Sequence, residues 1–164
     1  MKHLLNLLFL TCLVVFSSSC SSDNSEEFEA TYSHDITIPE VKIIEVEIME
    51  LINAHRINLG LNTLNNNELI KGQAFSHTDY MIVNNNVSHD YFYSRKHYLQ
   101  DYIGAIRVSE NVAYGYSSAQ SVVNAWLNSE GHRANIEGDF TDFDLVAERN
   151  AEGKWYFTNI FTKK

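Results

Sequence analysis

The stretch Ser129–Ile136, SEGHRANI, sets a histidine directly after a glycine, where one predicted helix ends and another begins. An imidazole that only fills a core needs no flexible neighbour, whereas one aimed into a cleft gains freedom from it. His89, in VSHDYF, also follows a small residue at a predicted helix boundary. Between the two in sequence lies Glu110, in SENVAYG. Two imidazoles and a carboxylate form a ligand set for zinc or another divalent metal, with a position left open for water. The same groups form an acid–base set. Spacing alone favours three unrelated polar residues, because no local zinc spacing such as H-E-x-x-H is present.

Other chemistries have less to stand on. Both cysteines, Cys12 and Cys20, lie in or at the edge of the N-terminal leader, so the rest of the chain has no thiol nucleophile and no disulfide. There is no G-x-S-x-G elbow and no glycine-rich phosphate loop. His55, His77 and His97 fall inside predicted helices and read as packed or surface imidazoles. Glu130 reads as a surface charge at a helix end. A formal net charge of −9 argues against nucleic acid as a partner and against simple electrostatic attraction to anionic lipid.

The elements that must hold these residues follow from periodicity. Ile44, Ile48, Leu51 and His55 recur at steps of three and four, which predicts a first helix ended by Gly60. Leu69, Gln73, Ser76 or His77, Tyr80 and Met81 predict a second, ended by asparagines. SRKHYLQDYIGAI is a shorter third, and SENVAYGY is too short and mixed to assign. Ser117 or Ser118 caps a helix whose apolar stripe is Val122, Val123, Trp126 and Leu127. Two alternating runs around NAEG in the last residues predict a β-hairpin. Helices first and strands last give an α+β domain of helices on an antiparallel sheet.

The chain of 164 residues fits one domain plus a tail. Residues 1–19 read as a signal peptide: Lys2, an apolar run from Leu4 to Phe16, then small residues. That run is short for a bilayer span. The small residues before Cys20 are similar to a bacterial lipoprotein signal, although Ser17 stands where leucine is usual. Cys20 is then the lipidated residue, and residues 20–40 are an acidic, polar, flexible tether. The domain proper covers residues 41–164. This places the protein in the cell envelope, lipid-anchored on the extracytoplasmic side, with the outer membrane as one candidate location.

The boxes LINAHRINLGLNTLNNNELIKGQAFSHTDYM, SHDYF, SENVAYG, AWLNSEGHRANI and GKWYFTNIF stand in an order and spacing that resemble the CAP superfamily, and above all its bacterial, disulfide-free, SCP-like extracellular branch. The resemblance covers about residues 44 to 162. It implies an α-β-α sandwich, an antiparallel sheet with helices on both faces and a central cleft. It implies that His89, His132 and Glu110 line that cleft, which in the family is associated with zinc or another divalent ion. Many members carry a second acid three residues after the helix tryptophan; here that position is Ser129, with Glu130 one step further on.

Three functional readings follow. The first is a binding or interaction module with a lipid or protein ligand. The second is a metal-dependent, peptidase-like hydrolase in which His89 and His132 hold the ion and Glu110 is ligand or base. The third is a structural envelope protein whose cleft is a relic.

Overall fold

The structure, a computed structural model, describes residues 36–164. The predicted signal peptide, Cys20 and the tether up to residue 35 lie outside the described residues. In chain order the elements are α1 (Ile43–Asn58), β1 (Asn65–Asn66), α2 (Glu68–Val83), α3 (Phe92–Ile103), β2 (Arg107–Tyr114), α4 (Ala119–Asn128), α5 (Glu130–Ile136), β3 (Asp142–Arg149) and β4 (Trp155–Lys163).

The four strands run in the order β1-β3-β4-β2. β3 and β4 are the expected hairpin, with Asp144 opposite Ile160 and Arg149 opposite Trp155. β2 pairs antiparallel with β4, and the two-residue β1 pairs parallel with β3. Alternation along the strands sorts side chains onto two faces. Phe143, Leu145, Ala147, Phe157 and Phe161 pack under α1, α4 and α5 with Ile48, Ile52, Val122, Trp126 and Ile136. Val146 and Ile160 pack on the other face with Ile70 and Ala74 of α2 and Leu99 of α3. The result is the α-β-α sandwich expected, with helices covering both faces. Each fully buried Ile, Leu or Phe stabilises this arrangement by roughly 1.5–3 kcal/mol relative to exposure.

Three local details differ from the sequence reading. SENVAYG lies in a strand, β2, at the edge of the sheet. The buried stripe of α1 is Glu45, Ile48, Ile52 and Arg56, one step away from the apolar stripe expected. Glu45 accepts the backbone N–H of Ala147 at 2.9 Å, and Arg56 donates to the carbonyls of Asn62, Ile136 and Gly138, so both polar heads are satisfied inside. Finally, the break before His132 is made by Ser129 and not by Gly131. Ser129 takes an extended backbone that closes α4 and opens α5, while Gly131 sits within α5 in open space. A residue in the extended region needs no left-handed conformation, so glycine is not required there.

Candidate functional site

Edge strand β2 is the spine of the site. Glu110 points from it toward the α2/α3 layer and is buried. Arg95, on α3 and likewise buried, grips it with two prongs: Nε donates to Oε2 at 2.9 Å and Nη2 to Oε1 at 2.9 Å. A fork of this kind is the strong form of carboxylate recognition. Arg95 Nη1 donates to the carbonyl of Asp90 at 2.7 Å and so fixes the loop ahead of α3. His89, half-exposed on that loop, places Nδ1 at 2.8 Å from Glu110 Oε1. The carboxylate is gripped by Arg95 and acts as acceptor, so the network assigns a proton to Nδ1 of His89.

Two further groups shape this half. His77, on α2, donates from Nε2 to the carbonyl of Ser88 at 2.8 Å and lies 3.8 Å from Glu110. Burial lowers its pKa, and Glu110 opposes that while Arg95 and His89 add to it. A neutral His77 with its proton on Nε2 leaves Nδ1 as a buried acceptor with no hydrogen-bond partner among the described residues. Tyr91 caps α3 in the left-handed region, φ 57°, and its ring meets Tyr80 edge-on at 5.3 Å. The Tyr80 hydroxyl donates to the Asp90 carboxylate at 3.0 Å. These contacts hold a loop conformation that a bulky residue disfavours.

His132 enters from α5, on the other side of β2. Its Nδ1 lies 2.9 Å from the hydroxyl of Ser129. Its carbonyl accepts from Asn111 Nδ2 at 3.0 Å. Asn135 in turn donates to Asn111 Oδ1 at 2.8 Å and to the Glu110 carbonyl at 3.3 Å. These two asparagines fasten α5 to the open edge of β2. Arg133 donates to the carbonyl of Leu127 at 2.9 Å and braces the end of α4. Burial lowers the pKa of His132, and the nearby His89 lowers it further.

The structure therefore joins His89 and Glu110 directly. It brings His132 close enough to His89 for their charges to interact, without contact to the Glu110 carboxylate. Glu130 is exposed at the start of α5 and makes no hydrogen bond or ion pair among the described residues. Ser129 occupies the second acid position and orients His132 with a neutral hydroxyl. Arg95 and His77 were not singled out as functional from sequence; they lie 15 and 33 residues from Glu110, and nothing local marks them.

The donor set does not suit a three-ligand metal site as it stands. Both oxygens of Glu110 are committed to Arg95, and one also to His89. Among the described residues no group of three or more His, Cys, Asp or Glu side chains is placed to hold an ion. What remains are the Nε2 atoms of His89 and His132, which make no hydrogen bond among the described residues.

Comparison with known proteins agrees with this architecture. Residues 49–158 match the family described as CAP, the cysteine-rich secretory protein family. A membrane protein of Bacillus subtilis, YlbC, is 33% identical over 124 residues, which is 73% of this chain and 34% of that protein. The chain thus spans about a third of that relative's length. An outer surface protein of Borrelia burgdorferi shares the fold with a TM-score of 0.68 at 23% identity, covering 77% of this chain and 96% of the other. An extracellular SCP-domain protein of Bacillus anthracis gives 0.64 at 28% identity, covering 73% and 40%. Among the described residues no helix is long and apolar enough to cross a membrane.

Proposed function

The chain belongs to the CAP (cysteine-rich secretory protein) family, and from that premise we propose that it is an extracytoplasmic binding module whose recognition cleft is built on His89 and His132. The observation that carries this reading is the state of Glu110. A metal-dependent hydrolase needs a carboxylate that can ligate an ion or take a proton from its water. Glu110 is buried and gripped by Arg95, so its role is to aim His89. The site then presents two imidazoles, each with Nδ1 held by a neighbouring side chain, His89 by Glu110 and His132 by Ser129. A neutral His89, with its proton on Nδ1, accepts a hydrogen bond from a ligand, while His132 donates or accepts according to how the Ser129 hydroxyl turns; any divalent ion taken there rests on two protein donors. The relatives that are extracellular, outer-surface or membrane proteins support a place outside the cytoplasm.

Zinc titration by calorimetry, with the His89→Ala/His132→Ala chain alongside, tests the reading. No binding tighter than micromolar is expected in either. Micromolar or tighter affinity that disappears in the variant overturns it and restores the hydrolase. We place the anchor at Cys20, on the leader's likeness to a lipoprotein signal. A Cys20→Ser chain is then expected in the soluble fraction; continued membrane association of that chain rules the anchor out.

A further inference from the structure

Alternation along β4 turns Asn159 toward α1, α4 and α5, on the same face as Phe157 and Phe161. Asn159 is fully buried, and neither Nδ2 nor Oδ1 has a hydrogen-bond partner among the described residues. Across the ladder, Asn111 of β2 lies directly opposite Asn159, and Ser109 lies opposite Phe161. Both side chains therefore stand on that face too. The Ser109 hydroxyl is buried as well, again with no hydrogen-bond partner among the described residues. Three polar atoms are thus left over in one small region of an otherwise apolar layer. Such groups are costly in a core, and a native fold keeps them where something satisfies them.

The protein around them is already engaged. Asn111 donates Nδ2 to the His132 carbonyl and accepts Asn135 Nδ2 on Oδ1. On the other side of Asn159 stands Leu145, and Phe157 and Phe161 flank it along β4. Ser109 and Asn159 are diagonal neighbours of an antiparallel pair, a separation of about 7–8 Å. They make no direct hydrogen bond, and that spacing suits one bridging molecule. Its chemistry follows from the lining. Ser109, Asn111 and Asn159 carry no charge, and Glu110 turns its carboxylate to the opposite face, onto Arg95. An ion gains no counter-charge there, and an apolar guest leaves the amide unmet. The small molecule that both donates and accepts is water.

We propose that a buried water binds between the Asn159 amide and the Ser109 hydroxyl, beside the Asn111–Asn135 link to α5. It extends that network along the sheet and completes the polar seat of the helix that carries His132. The site stands whether or not the histidine cleft takes a ligand or a metal.

The test uses the full isotope-labelled chain and two readouts. In water-selective NOESY and ROESY spectra, the Asn159 side-chain amide protons are expected to show cross-peaks at the water frequency with opposite signs, the mark of a resident water. Magnetic relaxation dispersion of water oxygen does not see hydroxyl groups. It is expected to lose one long-lived water on going from the native chain to Ser109→Val, whose methyl groups occupy the site. Should that variant fail to fold, Asn159→Leu takes its place with the same expected loss. Cross-peaks absent from Asn159 in the native chain overturn the proposal. So does an unchanged dispersion in a folded variant, which assigns the cross-peaks to the Ser109 hydroxyl.

Discussion

His89 is exposed and His132 partly buried, and the two are held in opposite ways. His89 is oriented by charge: its Nδ1 meets a carboxylate that is itself locked by a buried guanidinium. His132 is oriented without charge, by the hydroxyl of Ser129, and its helix is tied down by two asparagines. The charged half is tied to the fold's stability, because a buried ion pair that loses a member leaves an uncompensated charge. The neutral half leaves the imidazole free to respond to its surroundings, since no anion favours its protonated form. One side of the cleft is thus a fixed post and the other a tunable one.

Breaking the fixed post has the largest effect. Arg95→Met leaves the Glu110 carboxylate buried beside two imidazoles. It is expected to destabilise the domain by about 3–5 kcal/mol, read from urea unfolding. Adding Glu110→Met to the same chain removes the stranded charge and is expected to recover much of that loss. A single-variant cost under about 1 kcal/mol means that the pair behaves as an exposed one, and the contrast between the two halves then collapses.

The comparison also marks where the sequence was legible. His89, Glu110 and His132 stood out because each sits in a short box with small neighbours, and the fold does assemble them around one edge strand. The helices and the terminal hairpin were readable because their apolar residues repeat at 3.6 and 2. β2 was not, because it mixes a buried glutamate and a buried asparagine into an apolar run, and both are satisfied by partners on α3, the loop ahead of it and α5. The stripe on α1 was misplaced by one step for the same reason: Glu45 and Arg56 look like surface charges until their distant partners are seen. Gly131 drew notice as a hinge, yet Ser129 does that work in an ordinary extended conformation. Periodicity reports which residues are apolar, and it is silent on polar groups whose partners lie far along the chain.

Converting the neutral post into a charged one sharpens the contrast with a smaller effect. Ser129→Glu puts a carboxylate where many family members carry one, next to His132 Nδ1. The His132 pKa is expected to rise, because the new anion favours the protonated ring, and NMR titration of its ring protons follows it. If His132 does not move, its depressed pKa comes from burial so complete that a new anion cannot reach it, and Ser129 is then not the group that sets its charge state.

The smallest effect is in the pH dependence of the unaltered domain. Burial depresses His132 and His77 in the folded state, so the unfolded chain binds protons more readily than the native one below about pH 6.5. Stability is therefore complete above that value and declines as pH falls from 7.5 to 5.5. The urea midpoint should drop over that range, and Ser129→Glu should flatten the decline by removing the His132 contribution. His77 remains in the variant, so some slope persists. A midpoint that holds steady or rises on acidification means that both imidazoles gain protons as easily inside the fold as outside, and the neutral half of the cleft is then no different in kind from the half that Glu110 and Arg95 hold.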